Sequence, residues 1–272
     1  MPTINFALTL LDIDPALVRS WSHYLSTLLP RGRLPPDFYP SVQESSLKTH
    51  EGAFDCIVSP GNSFARMDGG LDLLISRFFS EPRAASLGLE EKDALVEVLR
   101  YVQRVHYRRW KGLQPVGSCY LIDMLPWMAE NCTERGGSEQ ARVDWNRFRC
   151  RYIAHSPTMR VPSALWREEI VYECMWSMLN EVYNHNLAVE QAQTSGSSTA
   201  DSSQKKIERV VVTGLGTGTG GLDREVCARL MVTAYVNFLD AIEAGEESQG
   251  EWRWNLAREW DRRISGGKKG SA

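Results

Sequence analysis

The chain has no C-x-x-C pair, and that absence sets a first boundary. Its six cysteines, Cys56, Cys119, Cys132, Cys150, Cys174 and Cys227, are scattered and mostly embedded in apolar runs. In a long chain without a secretory start, this pattern predicts reduced, buried thiols rather than a disulfide framework or a zinc site. No stretch approaches the roughly 20 apolar residues that a membrane-spanning helix needs, so no membrane partner is expected. Neither sign of charge dominates: 31 Lys and Arg stand against 34 Asp and Glu, for a formal charge of −3. A bulk drive toward nucleic acid or anionic lipid is therefore lacking, and no sequence-specific nucleic-acid contact is expected. A nucleotide-like anion would have to be held by local backbone dipoles. The start, Met1-Pro2-Thr3-Ile4-Asn5, has no basic segment leading into an apolar one, which predicts an intracellular protein, cytoplasmic or nuclear. No internal repeat, no linker between cores, no metal-ligand spacing and no cofactor motif is visible.

What is present suffices for one substantial core: 272 residues, 43% of them hydrophobic. Ile4, Phe6, Leu8 and Leu10 alternate as in a strand. Asp14 and Pro15 suit the cap and first position of a helix that carries Leu17, Val18, Trp21, Leu25 and Leu28. Phe54 to Val58 is a short, continuous apolar run of the kind buried on both faces of a sheet. Helices are predicted over Leu71 to Phe79, Leu89 to Val105 and Ser163 to His185, and strands over Gly117 to Leu125, Arg151 to His155 and Val210 to Val212. Asp223 is placed to cap the helix that follows. Trp252, Leu256, Trp260 and Ile264 sit four apart, a stripe that predicts a terminal helix docked on the body. The polar segment 129–149 reads as an insertion, the Gln/Ser/Thr-rich segment 188–206 as a mobile loop, and 266–272 as a disordered tail. Strands alternate with helices from end to end. This predicts an α/β protein, a mixed, mostly parallel sheet between helices, as a single domain over 1–265.

Two glycine-bearing loops carry the chemistry. The first is Ser59-Pro60-Gly61-Asn62-Ser63 with Asp68-Gly69-Gly70-Leu71-Asp72, directly after the Phe54–Val58 run. The second is Gly214-Leu215-Gly216-Thr217-Gly218-Thr219-Gly220-Gly221-Leu222, directly after the Val210–Val212 run. Each has the order strand, loop, helix, which offers backbone N–H groups and a helix N-terminus to a phosphate. The second loop contains G-x-G-x-x-G, but no βαβ unit with a terminal acid follows it and no P-loop lysine is present. A glycine-rich turn serving geometry alone is the competing reading. The Asn62 amide suits sugar hydroxyls, which it can both donate to and accept from; equally, it suits a turn that bonds its own backbone. Asp72 suits catalysis, or an ordinary first-turn acid.

Taken together, these stretches resemble the macrodomain family. Asp55-Cys56-Ile57-Val58-Ser59-Pro60-Gly61-Asn62-Ser63 followed by Asp68-Gly69-Gly70-Leu71-Asp72 is similar to its strand and asparagine-ended loop. Leu215 to Leu222 is similar to its second phosphate loop, and Leu11-Asp12-Ile13 to its adenine-recognising Asp-Ile pair. The resemblance implies a three-layer αβα fold with a cleft for ADP-ribose, free or linked to protein or nucleic acid. It implies that Asp12 accepts from the adenine amino group and that Ile13 donates its N–H to a phosphate. Asn62, Gly69 and Gly70 would flank the distal ribose, and Gly216, Thr217, Gly218, Thr219 and Gly220 would wrap the diphosphate. Asp72 with Asn62 would serve hydrolysis of an ADP-ribosyl or ADP-ribose-phosphate bond. A non-catalytic reader and a scaffold without ligand are the alternatives. The chain departs from the family pattern at Ser59-Pro60-Gly61, at Arg66-Met67-Asp68, and at Ser76, where some hydrolytic members carry a histidine.

Overall fold

The computed structural model describes residues 4–88, 90–131, 146–195, 204–249 and 254–266. The chain enters through strand β1 (Ala7–Asp12) and helix α1 (Pro15–Leu28), and passes a 3-10 turn to strand β2 (Ser41–Glu44). Strand β3 (Cys56–Ser59), helices α2 (Gly70–Leu87) and α3 (Glu91–Trp110), strand β4 (Tyr120–Asp123), helix α4 (Leu125–Asn131) and strand β5 (Tyr152–His155) follow. Helix α5 (Ile170–Ser195), strand β6 (Arg209–Val212), helix α6 (Arg224–Gln249, interrupted at Gly245) and helix α7 (Trp254–Ile264) complete it.

Six strands form one sheet in the order β2-β1-β6-β3-β5-β4. All neighbours pair in parallel except β4, which runs antiparallel to β5. Strict alternation of buried side chains builds a core on each face. Leu8, Leu10, Cys56, Val58, Ala154, Val210 and Val212 point to a core completed by α1, α5 and α6. Leu11, Ile57, Ile153 and Val211 point to the opposite core, completed by α2, α3 and α4. The result is three layers, αβα, around a mixed and mostly parallel sheet, as expected. Helix starts follow the sequence signals: Ala16 N donates to Asp14 Oδ1 at 2.9 Å, and Glu225 N and Val226 N both donate to Asp223 Oδ1.

Several boundaries differ from the sequence reading. The polar segment from 188 is not a loop at its start: α5 continues to Ser195. Ala188, Glu190, Gln191, Ala192 and Gln193 are helix formers, and Val189 between them is buried; residues 196–203 lie outside the described ones. The presumed insertion at 129–149 begins as the end of α4 and ends inside the core. Phe148 is buried and stacks on Phe54 with ring centroids 4.7 Å apart, and Asn146 Oδ1 accepts from Phe148 N and Cys150 N; residues 132–145 lie outside the described ones. Helix α2 runs on past Phe79 and through Pro82. Edge strand β2 has half-exposed residues with no apolar alternation, so nothing in its pattern announced it. In the C-terminal stripe, Trp260 packs edge-on against Trp176 at 5.3 Å and Ile264 against the core. Trp254 is exposed, and Trp252 and the tail from 267 lie outside the described residues. Cys56, Cys119, Cys150, Cys174 and Cys227 are free thiols.

Candidate functional site

In a parallel sheet the loops that follow the strands gather at one edge, and ligands bind where the chain's direction of travel across the sheet reverses. Here β1 leads outward to β2, whereas β3 leads toward β5 and β4. The loops after β1, β6 and β3 meet at that point and line a cleft of about 470 Å³. The structure places Asp12, Ile13, Asn62, Gly69, Gly70, Asp72, Gly216, Thr217, Gly218, Thr219 and Gly220 all on its walls.

One wall is the loop after β6. Asp12 anchors it: Gly214 N donates to Asp12 Oδ2 at 3.1 Å, while Asp14 N donates to Oδ1 at 3.0 Å. Gly216 has φ +72°, and Leu222 N donates back to Gly216 O at 3.0 Å, folding the loop into a cradle. The amides of Gly216, Thr217, Gly218, Thr219 and Gly220 find no acceptor among the described residues. Leu165 N donates to Gly220 O at 2.9 Å, which braces the cradle from outside.

The facing wall is the N-terminus of α2. Gly69 at its cap supplies no side-chain bond, and the first amides of any helix lack intrahelical acceptors. The positive end of α2's dipole therefore faces the cradle. Ile13, 70% exposed, offers an apolar ledge beside them. Two sets of N–H groups line one cavity, whose wall also carries the ion-paired Arg66 and Asp68, and such N–H groups suit an anion.

Asp72 lies in the first turn of α2 and is buried. Ser59 Oγ donates to its Oδ1 at 2.8 Å. Burial raises the Asp72 carboxyl to about 7; the Ser59 bond opposes that rise and the charge of Asp68 adds to it. A carboxyl poised near neutrality can hold or release a proton in the working range. Asn62 is committed largely to its own loop. Its Oδ1 accepts from Phe64 N and Arg66 N, and its Nδ2 donates to Arg66 O at 3.0 Å. An amide nitrogen carries two hydrogens, so one N–H of Asn62 remains for the cleft.

His155, which the sequence places only at the end of an apolar strand, lies next to this site. Register pairs it with Ser59 across β3 and β5, and a Cβ built on Gly61 would stand 3.0 Å from its Cε1 and 2.6 Å from Asp72 Oδ2. The ring is fully buried beside His106 and Tyr120, and neither ring nitrogen has a partner among the described residues. Burial, with His106 alongside, pushes His155 down to about 3, so it is a neutral ring. The only available signal was that two apolar runs each end in a polar residue. Ser76 donates to Met67 O at 3.0 Å and is buried. His185 meets Lys205 O and the Tyr152 ring, away from the cleft lining.

A second pocket of about 570 Å³ adjoins the first and shares Asn62, Arg66, Asp68 and Pro162 with it. The Arg66–Asp68 ion pair at 2.5 Å is part of the shared wall. Among the described residues, no group of three or more His, Cys, Asp or Glu is arranged to hold a metal ion, and no helix is long and apolar enough to cross a membrane.

No family model and no curated protein matches the sequence. Among solved structures, the chain is similar to the macrodomain of Mycobacterium tuberculosis DarG, with 15% identity, 73% of this chain and 90% of that chain covered, and a TM-score of 0.40. It is also similar to a Trypanosoma brucei macrodomain, with 16% identity and a TM-score of 0.38. That second match covers 69% of this chain and about half, 51%, of the other.

Proposed function

We propose that the cleft binds ADP-ribose, free or attached to a protein or nucleic-acid acceptor. The observation that carries this is the pair of amide sets: five consecutive N–H groups at 216–220, without acceptors among the described residues, face the uncapped N-terminus of α2. A diphosphate between them satisfies both. Its volume, about 470 Å³, lies in the range of small-molecule sites. The Asp12 carboxylate uses one lone pair on each oxygen and keeps others for an exocyclic amino group.

Within this reading Asp72 serves hydrolysis. Its ionised carboxylate takes a proton from water as the water oxygen bonds to the anomeric carbon of the distal ribose. The bond to the acceptor breaks, and the acceptor leaves with the electron pair. The support for this step is the placement of a buried carboxyl, raised to about 7, at the cleft wall. The engagement of Asn62 with its own backbone and the serine at position 76 favour the competing reading, a reader that binds without turnover.

Calorimetric titration with ADP-ribose, AMP and ribose 5-phosphate tests the assignment. Micromolar binding of the intact ligand, with much weaker binding of both fragments, is expected. No heat and no thermal shift at millimolar ligand would overturn it. Asp72→Asn then separates the two roles: a hydrolase loses turnover and keeps affinity, whereas a reader has no turnover to lose.

A further inference from the structure

The formal charge of −3 conceals a local reversal. From Val98 to Ile122 the sequence has no acidic residue, yet it holds Arg100, Arg104, Arg108, Arg109 and Lys111. All five side chains are exposed on α3 and its end. The carboxylates of α3 that pair, Glu91 and Glu97, pair with Arg77 and Arg83. None of the five cations pairs with a carboxylate among the described residues. At about 100° per residue, Arg100, Arg104 and Arg108 fall within about 80° of arc, directly beside Gln103 and Tyr107, and Lys111, at the left-handed cap, holds its Nζ 5.9 Å from the Tyr107 ring centre. At about 1.5 Å per residue the arginine stripe is about 12 Å long.

Gln103 and Tyr107 are themselves walls of the second pocket, together with Phe64 and Val161. Phe64 is 43% exposed and Tyr107 is 61% exposed, so two aromatic rings are presented to solvent in one pocket. Arg160, exposed and next to Val161, adds a further cation and lies over the exposed Trp166 ring at 5.7 Å. The acidic groups nearby are accounted for. Asp68 is held by Arg66 and Asp123 by Arg151, while Glu130 is felt at Tyr101, on the other flank of the stripe.

We propose that this face binds single-stranded nucleic acid, with phosphates along the α3 cations and one unstacked base in the second pocket against Phe64 and Tyr107. A basic track interleaved with exposed aromatic rings is the physical requirement for such binding. A duplex keeps its bases stacked and has nothing to place in the pocket, and an acidic peptide has no ring for it. DNA and RNA share the required chemistry. The proposal stands apart from the ADP-ribose reading, since it uses unmodified strands, and its cations and the rings of Phe64 and Tyr107 lie outside the cleft, although the two pockets share a wall.

The test is fluorescence anisotropy with labelled oligo-dT, oligo-U, a duplex of equal length and poly-glutamate, at about 50 mM salt and rising. The expected result is micromolar binding of a single strand, with log K falling against log salt at a slope of about −2, about −0.7 per phosphate contacted. The oligo-dT and oligo-U arms tell DNA from RNA. Arg100→Glu with Arg104→Glu should weaken binding at least about tenfold, and Tyr107→Ala several-fold, with ADP-ribose titration heats unchanged in both. No anisotropy change with either strand overturns the proposal. So does equal binding of poly-glutamate or duplex, or strand affinity unaffected by the double charge reversal.

Discussion

Gly61 and Asp72 are in contact so close that a Cβ on residue 61 would stand 2.6 Å from Asp72 Oδ2. The same atom would stand 3.0 Å from His155 Cε1, so an added methyl meets the carboxylate and the buried ring at once. Gly61→Ala is therefore expected to destabilise the fold by about 1–3 kcal/mol, as overpacking does. It should also displace Asp72 from the cleft wall. Thermal unfolding and ADP-ribose turnover, measured on the same preparation, check both; an unchanged Tm would show that the site has slack.

Asp72 makes stability depend on pH in the direction opposite to an ordinary surface carboxylate. Its folded value, raised to about 7 by burial, lies above the ordinary 3.8. Its contribution is fully present below about pH 4 and is lost as pH rises through about 7, a change on the order of 4 kcal/mol. Asp72→Asn lacks this dependence. The Tm of the variant minus that of the parent should grow by about 5–10 °C between about pH 4.5 and about pH 8. A constant difference would mean that the carboxyl is solvated.

If Asp72 is the base in hydrolysis, turnover of an ADP-ribosylated substrate rises with pH through about 7, as the carboxyl ionises. Ser59 Oγ donates to that carboxylate and favours its charged form. Ser59→Ala should shift the midpoint of the pH–rate profile upward while leaving the plateau rate within about threefold. A midpoint that stays in place would assign the titration to another group.

Local signals made part of this site legible. A strand, a glycine-bearing loop and a helix start are consecutive in sequence, so both cleft-lining loops and the capping residues Asp14 and Asp223 could be read directly. The proximity of His155 to Asp72 could not. It depends on β3 and β5 pairing in parallel with Ser59 opposite His155, and no sequence pattern specifies which distant strands become neighbours. Edge strand β2 was invisible for a different reason: one exposed edge and half-buried residues leave no apolar alternation. Segment 188–195 was misread because composition weighed its polar residues and overlooked that Val189 reaches the core along a continuing helix. The α3 cations vanished in the same way, averaged into a net charge of −3.

His155 brings two ring nitrogens without partners into a closed core. Its folded value, pushed down to about 3 by burial, lies below the ordinary 6.5. Its contribution is present above about pH 6.5 and is lost as pH falls toward 3. His155→Phe keeps a ring against His106 and Tyr120 and removes both orphan groups, each costing about 1–3 kcal/mol when buried unpaired. The variant should equal or exceed the parent in Tm near neutrality and should lose less stability between about pH 6.5 and about pH 4.5. A lower Tm at neutral pH would show that the imidazole makes a bond essential to the core.

The cradle at 216–220 separates two kinds of glycine, and substitutions there distinguish ligand from fold. A Cβ on Gly220 would stand 2.4 Å from Gly216 O and 3.0 Å from Leu165 Cγ, and one on Gly216 would stand 2.6 Å from Leu165 Cδ1 in a backbone with φ +72°. Gly218 has nothing within 4 Å of that position, and it lines the cleft. Gly220→Ala is therefore expected to lower Tm by several degrees through collision with the backbone, whether or not any ligand binds. Gly218→Val places its side chain in open cleft space and should leave Tm within about 1–2 °C while weakening ADP-ribose at least about tenfold. Unfolding curves with and without ADP-ribose check this pair. If Gly218→Val keeps both its Tm and the full ligand-induced shift, the diphosphate does not lie along this loop, and the five free amides serve another anion or none.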